Sequence, residues 1–255
     1  MKFAPIVPTQ GLRVLERVGV GYHFVLGQEL IRDKEYRQYY AALGRLGHFI
    51  IVDNGAAEKD TPEFKQVAGL ARIIGAAEII LPDVLEDADA TVDLLTDDVL
   101  EMVPPRKRMI VPQGTTATDW FACLEVQLRK TKYCIESIGI PKHLEKNIEG
   151  GRAYILEMLA REYPTLVQNI HLHLLGVWGN PFEEMAAAHA VCPAVRGIDS
   201  GVPIAWAQRF RNLTPETFDN VEEHLSLAWH LPMAECMLIA KQNVWALAKY
   251  ASELR

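Results

Sequence analysis

Residues 48–83, HFIIVDNGAAEKDTPEFKQVAGLARIIGAAEIILPD, contain two short apolar runs on either side of a segment with helical periodicity. The runs, at 48–53 and 77–83, are rich in branched side chains and have the length of buried strands. Residues 61–75 between them repeat apolar side chains at the spacing of an amphipathic helix. Buried strands that alternate with helices pair in parallel, so this segment predicts a β-α-β unit.

The same alternation recurs along the rest of the chain. Further strands are predicted at 108–114, 134–141, 171–178 and 194–199, and further helices at 87–103, 150–163 and 180–190. Such repetition predicts an α/β fold, a (β/α)8 TIM-type barrel with irregular first and last units, in which residues 1–255 form a single catalytic domain. A doubly wound open sheet is the alternative, but no Gly-x-Gly-x-x-Gly sequence follows the first strand. Residues 221–255 are predicted to form one or two helices that close the ring.

Composition limits the class of protein. The chain has 255 residues, of which 49% are hydrophobic and 23% charged, as in soluble globular proteins. Its net charge of -7 argues against a protein that coats nucleic acid all over, but it is compatible with a basic patch on one face. The four cysteines are scattered, which favours reduced thiols in the cytoplasm. No apolar run has the length of a membrane span and no signal peptide is recognisable, so no membrane partner is expected.

Polar and small residues follow each predicted strand. In a parallel barrel, the carboxyl ends of the strands meet at the face that carries the chemistry. The residues predicted there are Asp53, Asn54, Gly55, Pro82, Asp83, Pro112, Gln113, Gly114, Gly139, Ile140, Pro141, Gly176, Asp199, Ser200 and Gly201. Each acid alone is equally typical of a helix cap, and each Gly or Pro of a turn. Together, three carboxylates beside small residues predict a site that something bulky can approach closely.

These segments resemble, in the same order, motifs of the tRNA-guanine transglycosylase superfamily, which includes phage-type enzymes that place 7-deazaguanines in DNA. DNGA at 53–56 resembles the family's Asp-Ser-Gly-Gly turn, and PD at 82–83 carries an acid where the family has its base-reading aspartate. VPQG at 111–114 resembles Val-Gln-Gly, and IGI at 138–140 resembles Gly-Gly-Leu. HLLGV at 173–177 is similar to His-Leu-Leu-Gly-Ile, and IDS at 198–200 matches the Phe-Asp-Cys or Phe-Asp-Ser that carries the nucleophile. The resemblance covers residues 48–203.

The resemblance implies roles for the strand-end residues. Asp199 would attack C1′ of a guanine nucleotide and form a covalent glycosyl-enzyme, and Asp53 would act as general acid and base. A 7-deazaguanine would then replace guanine with net retention at C1′. Asp83 would accept hydrogen bonds from the base, while Gln113 and the backbone at Gly139 would read its carbonyl side. The full set of residues implied to bind the base is Asp83, Gln113, Gly114, Gly139, Ile140, Asn54 and Gly176. No metal or other cofactor is implied for the chemistry.

Departures from the family pattern concern the polynucleotide and the incoming base. The sequence lacks the Cys-x-Cys-x-x-Cys and His zinc motif of the tRNA enzymes and ends soon after the barrel should close. Both features favour DNA over tRNA, which is kept as the alternative substrate. The family's bacterial enzymes have an acid near the 7-substituent, whereas Lys142 and His143 are close by in this sequence, which favours a neutral group such as the nitrile of 7-cyano-7-deazaguanine. The expected location is cytoplasmic, in the host if the chain is phage-encoded, and a homodimer is left open.

Basic residues after strands are predicted to contact the DNA, preferably single-stranded or distorted, because the target guanine has to leave its stack. They are Lys142, His143, Lys146, Arg209 and Arg211, with Arg152 as a further cation of the same kind. The basic segments 106–108 and 129–132 precede strands and are predicted to form solvated surface on the opposite face.

Two alternatives belong to other functional classes. His171 and His173 have a metal-ligand spacing, which would suit a metal-dependent barrel hydrolase. Inward packing with hydrogen bonds is the favoured interpretation of the pair, because few histidines stand at other strand ends. The other alternative is a nucleotide-binding or scaffolding barrel without catalysis, against which the three strand-end acids argue.

Overall fold

A computed structural model of the chain describes residues 1–57, 61–177, 179–214 and 234–254. The strands are β1 (Lys2–Pro5), β2 (Tyr22–Leu26), β3 (Phe49–Asp53), β4 (Glu78–Ile80), β5 (Arg108–Ile110), β6 (Ser137–Pro141), β7 (His171–Leu175) and β8 (Val195–Ser200). They pair in parallel in the order β1-β8-β7-β6-β5-β4-β3-β2, and β1 packs beside β2. The eight strands therefore form a nearly closed barrel, and the predicted TIM-type fold is confirmed.

Helices connect the strands on the outside of the barrel. They are α1 (Leu12–Val18), α2 (Gly27–Arg32), α3 (Lys34–Arg45), α4 (Phe64–Ile73), α5 (Ala88–Leu94), α6 (Asp97–Met102), α7 (Ala117–Lys130), α8 (Leu144–Asn147), α9 (Gly151–Glu162), α10 (Pro164–Asn169), α11 (Pro181–Val191), α12 (Val202–Gln208) and α13 (Ala234–Glu253), with 3-10 turns at Thr9–Gly11 and Pro105–Lys107. The single helix predicted at 87–103 is two helices, because the Thr96 side chain accepts the N–H of Val99 and starts α6 anew. Of the helical region predicted at 221–255, α13 is described and residues 221–233 and 255 lie outside the described residues.

Two hydrophobic layers hold the barrel together. Its interior is filled by Ala4, Tyr22, Phe24, Leu26, Ile51, Ile80, Met109 and Val111. A larger cluster fills the space between the strands and the helices. Since both faces of each strand are buried, the strands are continuous apolar runs rather than alternating ones, which is why most of them could be predicted from sequence.

A buried ion pair lies in the interior near the amino ends of the strands. Arg196 donates from Nη1 and Nη2 to the two carboxylate oxygens of Glu78, at 2.5 and 2.7 Å, and Glu78 also accepts the hydroxyl of Ser137 at 2.8 Å. Buried charges are tolerated only when they are paired and hydrogen-bonded, and this pair meets both conditions.

Strand β8 has a register shift at this point. Val195 pairs with Leu172, but the next residue of β7, His173, pairs with Gly197. Arg196 is therefore an extra residue in β8, a β-bulge. Arg196 and Asp199 are three residues apart and would face opposite sides of a regular strand, yet the bulge lets both side chains reach the interior.

The basic segments that precede strands do not all form solvated surface. Arg106 is exposed as predicted, and Lys107 donates to the carbonyl of Ala76 at 2.6 Å. The prediction is wrong for Arg108, which is buried because it donates to the carbonyls of Val103 and Leu100 at the end of α6. All four cysteines are free thiols. Within the described ranges, no helix combines the length and apolarity that crossing a membrane requires.

Candidate active site

Asp199 lies in β8 next to its last residue and is 2% exposed. Its Oδ1 lies 3.0 Å from Nε2 of His173, and its Oδ2 accepts the backbone N–H of Gly176 at 3.0 Å. Each carboxylate oxygen can accept twice, so each retains a lone pair beyond these two contacts. The carboxylate is thus fixed in orientation while keeping capacity to react.

The turn after β7 is built to hold this carboxylate. Gly176 has φ +67°, in the left-handed region that favours glycine, and this conformation directs its N–H at Asp199. Its carbonyl accepts Nη1 of Arg152 at 3.0 Å, and the carbonyl of Leu175 accepts the same nitrogen at 3.3 Å.

Arg152 is therefore structural. It is 2% exposed and also pairs with the carboxylates of Glu145 and Glu184. Its prediction as a cation for nucleic acid is wrong, because its charge is neutralised and its donors are used inside the protein.

A second polar cluster joins the ends of β3, β4 and β5. Asp83 accepts Nδ2 of Asn54 on Oδ1 at 2.6 Å and Nε2 of Gln113 on Oδ2 at 2.5 Å. Burial raises the pKa of Asp83 to about 6, against the effect of these two hydrogen bonds. The carboxyl is therefore ionised at neutral pH and protonated in mild acid.

The two amides of this cluster differ in what they leave for a ligand. Asn54 also donates to the carbonyl of Leu81 at 2.7 Å and accepts the N–H of Ala56, so both of its amide hydrogens are used. Gln113 accepts the N–H of Glu86 at 3.0 Å and keeps one amide hydrogen beyond its bond to Asp83. Asn54 thus positions Asp83, whereas Gln113 retains a donor.

Asp53 is the last residue of β3 and is partly buried. Ile51, two residues earlier, belongs to the interior cluster, so strand alternation places Asp53 on the same side at the carboxyl end. Helix α2 approaches this end closely, because a Cβ on Gly27 would lie 2.4 Å from the carbonyl oxygen of Asp53. The three predicted acids are therefore all at the carboxyl ends of strands in one barrel.

The predicted glycines are required by packing. A Cβ on Gly139 would lie 2.6 Å from Leu175 Cδ1, so that side chain covers it, and Ile140 belongs to the outer core. A Cβ on Gly114 would lie 2.8 Å from the backbone nitrogen of Trp120, so Gly114 allows its loop to lie against the start of α7. Neither Gly139 nor Ile140 offers a side chain to the interior, so any contribution of these two residues to a site would come from their backbone.

Lys142, a predicted nucleic-acid contact, lies beside Gly176, the residue whose N–H donates to Asp199. It is exposed, and its Cδ would lie 3.0 Å from a Cβ on Gly176. Lys146 is exposed on α8. Burial lowers the pKa of His143, so its contribution at neutral pH is an uncharged one.

Arg209 and Arg211 are more distant than the sequence suggested. Both are exposed and follow α12, a helix of 7 residues that begins just after β8. A helix of that length spans about 10 Å, so these arginines lie well away from the end of β8. Arg211 lies over the ring of Trp206, 5.9 Å from its centroid.

His171 and His173 have separate environments. His173 is buried, with Nδ1 2.8 Å from the hydroxyl of Tyr22 and Nε2 bound to Asp199, which confirms inward packing with hydrogen bonds for this residue. The same prediction is wrong for His171, whose side chain is 51% exposed, because it lies at the amino end of β7 near Glu136. In the part of the chain that the structure describes, no three His, Cys, Asp or Glu side chains are grouped as a metal site requires.

Sequence reasoning missed the contacts of Tyr22, Arg196 and Arg152. β2 carries a usable signal, since YHFVL is an aromatic and branched run of strand length. The other two have no local signal, because most of their partners are distant in sequence.

Comparisons with known proteins give no independent assignment. No protein-family model matches the chain, and no curated protein matches it significantly. The geometry of the strand ends is accordingly the basis for a functional proposal.

Proposed function

We propose that the protein is a base-exchange transglycosylase that replaces guanine in DNA with a 7-deazaguanine, 7-cyano-7-deazaguanine being favoured, through a covalent aspartyl intermediate. One observation carries the proposal. Asp199 is a buried carboxylate at a strand end, with a hydrogen-bond partner on each oxygen and two other strand-end acids in the same barrel. A carboxylate oriented in this way suits nucleophilic attack on a sugar carbon.

The reaction consists of two displacements at C1′. An Asp199 oxygen bonds to C1′ as the bond from C1′ to N9 breaks; the electron pair goes to the departing guanine, and Asp53 supplies its proton. The incoming base then gives a proton to Asp53, and its N9 bonds to C1′. The ester bond breaks, and its electron pair returns to Asp199. Two inversions restore the configuration at C1′.

Asp83 is the proposed acceptor for the N–H groups of the guanine edge. It lies among Asn54 and Gln113, whose amides hold its carboxylate in place. A base without matching N–H groups would leave the remaining lone pairs of this buried carboxylate unpaired, which disfavours binding of the wrong base. The remaining amide hydrogen of Gln113 is the proposed donor to the base carbonyl.

Lys142 is the proposed phosphate contact beside the reacting nucleotide, with Lys146 as the next cation along the same loop and helix. Because the guanine has to leave its stack to reach Asp199, single-stranded or distorted DNA is the expected substrate. A metal-dependent hydrolase is less well supported, since both ring nitrogens of His173 already have partners in the protein.

The test is incubation of the protein with DNA or tRNA and candidate 7-deazaguanines, followed by mass spectrometry of the nucleosides. Quenching in denaturant without incoming base should trap a covalent adduct on the polynucleotide. Asp199→Asn should abolish both signals, because the amide is nearly isosteric but a poor nucleophile.

Asp87→Asn is the matched control, since Asp87 only caps α5 by accepting the N–H of Ala90, and asparagine caps equally well. Exchange that persists in Asp199→Asn would refute the nucleophile. Exchange into tRNA alone would refute DNA as the substrate while leaving the chemistry intact.

A further inference from the structure

We infer that His173 is a positioning residue for Asp199, held in one tautomer by a hydrogen-bonded chain that runs through the barrel to Glu78. The inference rests on the proposed function, in which Asp199 is the nucleophile. Its basis is the set of contacts that connects these residues inside the barrel.

Four hydrogen-bonded contacts connect Asp199 to Glu78. Nε2 of His173 lies 3.0 Å from the carboxylate, and Nδ1 lies 2.8 Å from the hydroxyl oxygen of Tyr22. Nε of Arg196 donates to the same hydroxyl oxygen at 3.2 Å, and Arg196 is paired with Glu78. Each member is at least nine-tenths buried, so these contacts do not compete with bulk water.

The direction of each hydrogen bond follows from the donors available. A guanidinium can only donate, so the hydroxyl oxygen of Tyr22 accepts from Arg196. The single hydrogen of Tyr22 is then directed at Nδ1 of His173, which accepts it. The neutral imidazole consequently carries its proton on Nε2 and donates it to Asp199, which is the arrangement that an ionised carboxylate favours.

Packing holds the ring in this orientation. The imidazole is stacked on Phe24 with ring centroids 6.0 Å apart and an angle of 6° between the planes. Burial raises the pKa of Tyr22 far above its usual value, which keeps its hydroxyl protonated as a donor. The hydrogen-bonded chain from Asp199 to Glu78 is thus preorganised before a substrate binds.

The donated hydrogen bond favours one state of the reaction. It is stronger to the ionised carboxylate than to the neutral ester of the glycosyl-enzyme. It therefore stabilises Asp199 as the leaving group when the incoming base displaces it. Loss of the donor should slow breakdown of the adduct more than its formation.

His173→Phe keeps a flat ring against Phe24 but removes the donor, and we expect an exchange rate lower by about 100-fold. His173→Gln restores an N–H donor, and its exchange rate should be about tenfold higher than that of His173→Phe. Tyr22→Phe should lower the rate by about tenfold, because it leaves the tautomer unspecified. Tyr36→Phe is the control, since it removes a hydroxyl that is equally buried but lies outside the barrel.

Two readouts separate positioning from a general effect on folding. The ratio of trapped adduct to exchange rate should rise about tenfold or more in His173→Phe. Partial unfolding would instead reduce the adduct and the exchange rate together. The nitrogen chemical shifts of His173, measured by NMR on the intact protein, should show Nε2 protonated and Nδ1 unprotonated, and this pattern should be lost in Tyr22→Phe.

Each outcome decides a different statement. Unchanged exchange in His173→Phe, with activity still abolished in Asp199→Asn, overturns the inference and keeps the proposed function. A wild-type imidazole protonated on Nδ1 also overturns it. If Asp199→Asn exchanges normally, Asp199 is not the nucleophile, and the inference about His173 falls with that assignment while base exchange stands.

Discussion

The backbone N–H of Gly176 donates to Oδ2 of Asp199 from a left-handed conformation with φ +67°. The direction of this donor depends on a backbone geometry that residues with a Cβ adopt at a cost of about 1 kcal/mol. Orientation of the candidate nucleophile is therefore linked to the presence of glycine after β7.

Gly176→Ala should lower the melting temperature by a few degrees and the exchange rate by about tenfold or more, because a shifted N–H no longer meets the carboxylate. Gly19→Ala is a matched control, since Gly19 has φ +71° and an added Cβ there would meet nothing within 4 Å. Circular dichroism melts and exchange assays on both variants make the comparison. Equal activity in the two variants would show that the Gly176 donor is unimportant.

Binding of the free base should depend on the ionisation of Asp83. With a pKa of about 6, its carboxyl is an acceptor above that pH and becomes a donor below it. The N–H groups of the base need an acceptor, so affinity should fall about tenfold for each pH unit below the pKa. Calorimetric titration of 7-cyano-7-deazaguanine between pH 5 and 8 measures this, and a flat profile would exclude Asp83 as the base acceptor.

Removing one partner of the buried ion pair between Arg196 and Glu78 should strongly lower the free energy of unfolding. Glu78→Gln leaves a buried guanidinium without its counter-charge, which should cost about 3 kcal/mol in the free energy of unfolding. Glu125→Gln is the surface control, because its pair with Arg129 is half exposed, and it should change the same quantity by less than about 0.5 kcal/mol. Urea denaturation measures the free energy of unfolding of both variants. Similar losses in the two would show that burial of the pair is unimportant.

Lys142 should contribute one phosphate contact to DNA binding. Lys142→Gln is expected to reduce the salt slope of binding to single-stranded DNA by about 0.7 without changing the sequence preference. Arg106→Gln removes an exposed charge at the opposite end of the barrel and should leave the slope unchanged. Equal effects of the two substitutions, measured by fluorescence anisotropy across salt concentrations, would refute the proposed orientation of the DNA.

Chelation should leave both the activity and the melting temperature nearly unchanged, because the ring nitrogens of His173 bind Tyr22 and Asp199. Metal analysis and assays after exhaustive dialysis against a chelator would check this. A stoichiometric transition metal needed for turnover would revive the hydrolase alternative.

The sequence predicted the barrel because parallel strands buried on both faces appear as short apolar runs, as at 48–53. It also predicted that Asp53, Asp83 and Asp199 follow strands, since strand topology alone brings their ends to one face. β1 and β2 were both missed, β1 because KFAP is short and ends in proline, and β2 although YHFVL has the composition of a strand. The buried role of Arg152 could not be predicted, because its position after a strand does not reveal which distant carbonyls it meets.

The bulge at Arg196 has a consequence for which changes β8 can accept. Side chains alternate between the two faces of a strand, so adding or removing one residue exchanges the faces of every residue beyond that point. In β8, however, Arg196 is itself the extra residue, so deleting it would give a regular ladder that keeps Gly197 opposite His173 and Asp199 on the interior side. The deletion would instead remove the guanidinium that pairs with Glu78, so the extra residue brings a positive charge into the barrel while the carboxylate three positions later keeps its side.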